Sequence, residues 1–331
     1  ILLQNPQGIG DKLQWPNQLK FLASNGFDSW GLPETNVDWR QTEKITRPYF
    51  QAIRQHWNHI KLITACSNET KGQEFWTQRP IYLPGGVAQV TTGRMAAKLR
   101  DQGRDPSDMG RWTYQKFVST QGKEVYLITG YRVGQSTATG AGSTTAVQQQ
   151  YRMQITKQNP NPNPRRQFLQ DLQDWILTIQ SDHTEILLMM DANTPLLDPA
   201  LQHFLDECDL TDLHEERYPG APATQRDGSK KIDHVFGTPG VEAALIHTGI
   251  LPILDGLQSD HRGVYIDIHI SELFGEHQED MSAPAHRLLR TNDIRKIQTY
   301  TKRLQQLCKD HNIRERLEKL QTNCERTNRC T

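Results

Sequence analysis

The chain lacks any unbroken run of the roughly 18 apolar residues that a membrane-spanning helix requires, so no span is expected and no membrane partner. Cysteine is scarce: Cys66, Cys208, Cys308, Cys324 and Cys330 form an odd, scattered set. That argues against a disulfide framework and predicts free thiols in a reducing compartment. Cys308, His311, Cys324 and Cys330 match no common zinc-finger spacing and lie mostly on helical sequence, so they are read as thiols. Net charge is missing too, with 38 Lys and Arg balancing 38 Asp and Glu, and 35% of residues are hydrophobic. This balance disfavours wholesale disorder. No internal repeat is evident. The opening ILLQNPQGIG carries neither an initiator Met nor a basic-then-apolar signal, and begins in strand-like sequence. A piece of a longer polypeptide is expected.

What is present alternates between strand and helix patterns. ILLQN, FDSWGLP, HIKLITAC, VAQVTT, RWTYQKFVST, EVYLITGYRV, EILLMMDAN, KKIDHVFGT and GVYIDIHI read as strands, with Gln121-Gly122 as hairpin turn residues. Residues 14–25 and 199–208 read as helices. Phe168, Leu169, Leu172, Trp175, Ile176 and Ile179 keep helical spacing after the Pro164 start. Residues 136–148, rich in Gly, Ser, Thr and Ala, read as a loop. Beyond Pro284, Ile294, Ile297, Tyr300, Leu304 and Leu307 mark an amphipathic helix, with a second at about 312–321. A mixed α/β body at 1–272 with a basic helical extension at 273–331 is the expected organisation. Residues 284–331 hold 12 basic and 5 acidic side chains, so the tail is +7 and the remainder −7. A basic extension suits a polyanion, and equally a solvated connector.

Polar residues gather at strand ends. Asn5 follows LLQ, Glu34 follows FDSWGLP, Tyr131 and Arg132 follow VYLITG, and Asp191 and Asn193 follow EILLMM. Asp260 and His261 precede VYIDI. Strand ends in a layered α/β fold are where sites form, because the apolar strand bodies fix geometry. Asp191 and Asn193 alone could simply shape a turn. Asp233, flanked by Ile232 and, after His234, by Val235 and Phe236, needs a partner, and His261 is the natural one. Asp267 and His269 alternate along the last strand as a solvated face. Several carboxylates, an amide and no thiolate cluster suit a hard cation such as Mg²⁺, with Mn²⁺ as substitute.

Six motifs, QNPQG, LPET, ITGYR, MMDANT, KKIDHVF and QSDH, in that order across residues 1–270, resemble the endonuclease/exonuclease/phosphatase superfamily. That is the fold of abasic-site endonucleases and DNase I. The segment DLTDLHEERYPGAPATQRDGSKKIDHVFGTP resembles the endonuclease domains of non-LTR, LINE-type retrotransposons, and the tail resembles the linker before their reverse transcriptase. The resemblance implies a four-layered α/β sandwich, two mixed sheets face to face and flanked by helices. It implies a Mg²⁺-dependent endonuclease that nicks double-stranded DNA, leaving a 3′-hydroxyl for an attached reverse transcriptase copying the element's own RNA in the nucleus. Glu34 would be the principal metal ligand, helped by Asn5 and Asp260. Asp191 would accept the proton of the attacking water or align it, and Asn193 would hold that water or the phosphate. Tyr131 would donate to the scissile phosphate beside Arg132, and His261, oriented by Asp233, would stabilise the transition state or activate the nucleophile. Gln7 stands where abasic-site enzymes carry an acid, MDAN replaces GDFN, ATQRDG lacks an aromatic after Thr224, and there is no second His of the DNase I kind. These departures favour a retroelement endonuclease over a repair enzyme. The competing readings are a phosphomonoesterase or phospholipase of the inositol phosphate or sphingomyelin type, a nucleic-acid-binding domain without catalysis, and a purely structural scaffold.

Overall fold

The computed structural model describes residues 1–68, 81–135, 145–253, 255–275 and 294–319, which fall into two compact units, Ile1–Gln278 and Glu279–Thr331. In the first unit twelve strands form two sheets of six. They are β1 (Leu2–Leu3), β2 (Ser29–Pro33), β3 (Ile60–Ala65), β4 (Val87–Thr92), β5 (Leu99–Arg104), β6 (Trp112–Val118), β7 (Glu124–Tyr131), β8 (Thr184–Asp191), β9 (Thr211–Asp212), β10 (Asp233–Gly237), β11 (Leu245–Ile250) and β12 (Val264–Ile268). One sheet runs β11-β12-β1-β2-β4-β3 and the other β5-β6-β7-β8-β10-β9. Only β1–β2 and β7–β8 pair in parallel, so both sheets are mixed.

A parallel pair needs a crossover, and the helices Ala146–Thr156 and Pro164–Ile179 lie between β7 and β8 in the chain. Pro164 sits in the first turn of the longer helix, and the Asn163 side chain caps it by accepting from the Arg166 amide. Phe168, Leu169, Leu172 and Ile176, one stripe at helical spacing, are buried against Ile128, Ile186, Leu188 and Met190. The opposite faces of the same strands carry Val125, Leu127, Leu187 and Met189, which pack with Leu3, Val264 and Ile266 of the other sheet. Strands buried on both faces explain why EILLMM is a continuous apolar run. The helix Trp15–Ser24 covers the outside of the first sheet through Trp15, Leu19 and Leu22, packed with Trp30, Leu32 and Val90. Helix, sheet, sheet, helix gives the four-layered α/β sandwich.

Two local expectations are corrected. The stretch 136–148 does not stay a loop: its described part opens the helix Ala146–Thr156, capped by Thr145 accepting from the Gln148 amide. The buried face of that helix is Gln148, Gln149, Gln150 and Gln154, so no apolar periodicity announced it. Residues 136–144 lie outside the described residues, as do Cys324 and Cys330. KKIDHVF is a strand only from Asp233 onward, which places Asp233 at a strand mouth and not in its interior. Lys231 instead ion-pairs with buried Asp212 at 2.6 Å. In the second unit the helix Ile294–Asp310 has no buried residue, and a further helical segment covers 313–319. No helix among the described residues is long and apolar enough to cross a membrane.

The sheets approach closely at Gly31 on β2. A Cβ there would fall 2.5 Å from Thr129 Oγ1 and 2.8 Å from Met189 Cε, atoms of the facing sheet. Gly31→Val is therefore expected to destabilise the fold by about 1–3 kcal/mol through overpacking. A urea denaturation midpoint equal to that of the native chain would contradict this sheet spacing.

Candidate active site

Side chains alternate across a strand, and this alternation builds the site. On β7 the odd-numbered residues face the other sheet, and Tyr131 continues the series of Val125 and Leu127. On β8 Asp191 continues Leu187 and Met189, and on β10 Asp233 continues back from Val235. Register then aligns them: Tyr131 pairs with Asp191, and Asp191 with Asp233, a single row across three strands. The row ends where the apolar series ends, so an acid-rich line sits at the rim of the inter-sheet core. Asp191 and Asp233 are both 0% exposed.

The facing sheet supplies the rest. Asn5, just after β1, donates through Nδ2 to Asp191 Oδ2 at 2.8 Å and to Glu34 Oε2 at 2.9 Å. Its Oδ1 is occupied by the Gln7 amide at 2.8 Å, which orients the amide with its NH₂ toward the carboxylates. Glu34, Asn36, Gln7 and Asn193 all have left-handed backbones, with φ between 48° and 53°. Non-glycine residues pay on the order of 1 kcal/mol or more for that conformation. Four of them around one cluster mark a place where side-chain direction outweighs backbone comfort. Asn193 donates from its amide N–H to Asp191 Oδ1 at 3.0 Å and from Nδ2 to the Arg132 carbonyl at 2.8 Å.

His261 is 4% exposed and meets Asp233 through Nδ1 at 2.8 Å. Its backbone is held by the Gln4 side chain, which donates to the His261 carbonyl, and by Ser259 Oγ, which accepts from the His261 amide. Ser259 Oγ also donates to the Asn5 carbonyl, so one hydroxyl ties the two sequence-distant loops together. Thr224 Oγ1 accepts from the amides of Ile232 and Asp233 and fixes the start of β10. Asp260 Oδ2 accepts from Gln7 Nε2 at 2.8 Å, and its Oδ1 lies 4.0 Å from His261 Nε2.

Burial opposes charge on His261, yet Asp233, by charge and hydrogen bond, with Asp191 and Asp260, raises its pKa to about 9. It is an imidazolium at neutral pH. Asp191 moves the opposite way for an acid: burial first, then Asp233 and Glu34, push it well above the usual carboxylate range, against the pull of His261. A carboxylate so raised is a stronger base. Burial, with Glu34 and Asp191 nearby, likewise pushes the Tyr131 phenol well up, and Tyr131 hydrogen-bonds Glu34. It stays a protonated donor.

Eight of the nine residues singled out in the sequence thus meet around one cluster: Asn5, Glu34, Tyr131, Asp191, Asn193, Asp233, Asp260 and His261. Arg132 does not join it. The next residue along from Tyr131 faces away, and Arg132 Nε donates to the Arg165 carbonyl at 3.2 Å. Three supporting residues had no signal that set them apart: Ser259, Thr224 and Gln4 act through one hydroxyl or amide each. Ligand atoms of Asp191, Asp233 and His261 lie within 4.8 Å of one another. Asp233 and His261 are committed to each other, however, so that pair is better read as an oriented imidazole. Carboxylate oxygens of Glu34 and Asp191 instead share one Asn5 nitrogen.

The raised His261 pKa has a stability consequence. Its contribution is complete below the ordinary histidine value of about 6.5 and is lost as pH rises through about 9. In EDTA, the thermal midpoint of the native chain should exceed that of His261→Gln at neutral pH, and the gap should close in alkali. A gap that is flat across this range would show an uncharged His261.

No family model matches the chain, and no curated protein matches it. Solved structures do. The 3′ phosphatase NExo from Neisseria, bound to product DNA hairpin, superposes with a TM-score of 0.56 at 16% identity, over 81% of this chain and 98% of that one. An AP endonuclease from Archaeoglobus fulgidus gives 0.55 at 14% identity, again over 81% and 98%. The human Nocturnin catalytic domain with bound sulfate anion gives 0.51 at 12%, over 80% and 92%. At such identities the likeness is one of fold, and the chain has the α/β sandwich fold of these endonuclease/exonuclease/phosphatase proteins.

Proposed function

We propose that the chain is a Mg²⁺-dependent phosphodiester hydrolase, a DNA-nicking endonuclease of a non-LTR retrotransposon that leaves a 3′-hydroxyl for target-primed reverse transcription. The observation that carries the reading is the Asp233–His261 pair at 2.8 Å beside the Asn5-linked carboxylates of Glu34 and Asp191. These groups support a reading in which a base, a donor and a pair of metal-holding acids act on one phosphate. The ordered motifs of the sequence and the two DNA-acting proteins among the structural likenesses support the substrate. The retroelement assignment is supported by the segment 209–239 and by the basic tail.

The donor set fits a hard divalent cation. Glu34, Asp191 and Asp260 would offer it oxygen, and Asp260 Oδ1 has no hydrogen-bond partner although buried. Burial, then repulsion from Asp233 and Glu34, lifts Asp191, and a cation would relieve both by favouring the charged form. Asn5 would add its carbonyl oxygen on turning the amide. Bound there, Mg²⁺, or Mn²⁺ in its place, would supply positive charge for the phosphate. The side chains do the rest. Asp191 takes a proton from water held by Asn193, and the water oxygen attacks phosphorus in line. The P–O3′ bond breaks, the leaving O3′ takes a proton from solvent water, and the strand is left with a 3′-hydroxyl and a 5′-phosphate. His261, charged and oriented by Asp233, and the Tyr131 hydroxyl donate to the phosphorane as negative charge builds on it.

Purified chain with Mg²⁺ should nick supercoiled plasmid, and EDTA should stop it. Glu34→Ala and His261→Ala should each lower kcat by about 100-fold or more. Release of phosphate from a DNA 3′-phosphate or an inositol phosphate without nicking would replace the endonuclease by a monoesterase, and nicking that survives both substitutions would sink the assigned roles.

Binding is testable apart from activity. Mg²⁺ at about a hundred times its dissociation constant should stabilise the fold by about 2.7 kcal/mol, seen as a raised melting temperature that Glu34→Ala loses. An equal shift in the variant would move the cation elsewhere.

A further inference from the structure

Two arginines next to the cluster carry charge that no carboxylate among the described residues pairs with. Arg132 is 4% exposed, and its Nη1 has no hydrogen-bond partner. Arg165, half-buried in the first turn of the helix Pro164–Ile179, donates through Nη1 to the Val133 carbonyl at 2.6 Å and through Nη2 to the Asn193 carbonyl at 3.3 Å. Those carbonyls belong to the loops that leave β7 and β8 directly after Tyr131 and Asp191. Asp198 and Asp191 act on Arg165 through space, without a hydrogen bond. The segment 136–144, STATGAGST, that follows Arg132 in the chain contains no acid.

Burying a guanidinium without a counter-ion is costly, and placing a second beside it adds repulsion. Both effects are visible here. Burial, then Arg165, lowers the Arg132 pKa to about 10, and burial lowers that of Arg165. A structural role alone would be met by neutral donors, because the partners made inside the chain are backbone carbonyls. Guanidinium forks match phosphate oxygens bidentately, which a neutral amide does not.

We infer that Arg132 and Arg165 form a second phosphate subsite, which receives a backbone phosphate of the nucleic-acid strand flanking the scissile one. Arg165 is the contact, and Arg132 behind it keeps the local potential positive. The inference rests on the nuclease reading above. It also restores to Arg132 a share in binding, at a different phosphate from the one Tyr131 meets.

The test is binding of a fluorescently labelled DNA duplex, followed by anisotropy in EDTA over a range of salt. Each phosphate contact adds about 0.9 to the slope of log K against log salt. Arg165→Ala should therefore weaken binding about tenfold at about 0.1 M salt and flatten the slope by about one. Arg165→Lys should keep the slope, and so should Arg132→Lys. An unchanged slope in Arg165→Ala overturns the subsite. If kcat for nicking falls in that same variant, Arg165 is instead a positioning residue for the Asn193 loop. Should the native chain itself neither bind nor nick the duplex, the nuclease reading fails before the subsite is reached.

Discussion

One amide holds the two halves of the site together. Asn5 stands at the end of β1 in one sheet, and its NH₂ reaches Glu34 in the same sheet and Asp191 in the other. Two carboxylates brought this close repel, and burial strengthens the repulsion by removing water. A neutral group with two hydrogens can bridge them, and the Gln7 amide on Asn5 Oδ1 decides which end of the side chain points inward. The left-handed turns at Gln7 and Glu34 are where the backbone yields so that these directions can be met. The meeting of Glu34 with Asp191 across the two sheets depends on this bridge.

A comparison within the molecule shows how much the partners matter. Asp191 and Asp212 are both buried aspartates on the second sheet. Asp212 meets Lys231 at 2.6 Å and His234 at 2.7 Å, and these hold its carboxyl well below the usual range despite burial. Asp191 has Asp233 and Glu34 for neighbours and is driven the other way. The first is satisfied and structural, the second is left wanting a cation or a proton. Asp233 and His234, adjacent on β10, divide between the two sets because strand alternation sends one inward and the other toward the helical layer, where His234 stacks on Phe236.

Much of the fold was legible along the chain because its signals are local. The apolar run EILLMM, the helical stripe from Phe168 to Ile179 and the Pro164 start each declare their element without help from distant residues. The helix Ala146–Thr156 was not legible, since glutamines fill its buried face and hydrophobic period is the signal on which such a reading relies. Within the site, acids and His261 were conspicuous as charges at the ends of apolar strands. Arg165 was not, being one of two arginines in PRRQF, where a solvent-facing helix start is the ordinary expectation. Arg132 was conspicuous for following Tyr131, but it lies just past β7, and its Nε donates to the Arg165 carbonyl.

The sequence by itself determined which strands are buried on both faces, where they end, and that acids, amides and one histidine stand at those ends. Those facts follow from side-chain polarity at a period of two or 3.6 residues, which needs only neighbouring positions. Tertiary structure alone decided that Tyr131, Asp191 and Asp233 form one row, that Asn5 reaches across to it, and that Arg132 turns away to Arg165. Register between strands, the approach of two sheets and the competition of burial with charge all join residues that lie far apart in the chain. Asn5 and Asp191, 186 positions apart, share a hydrogen bond that no local pattern encodes.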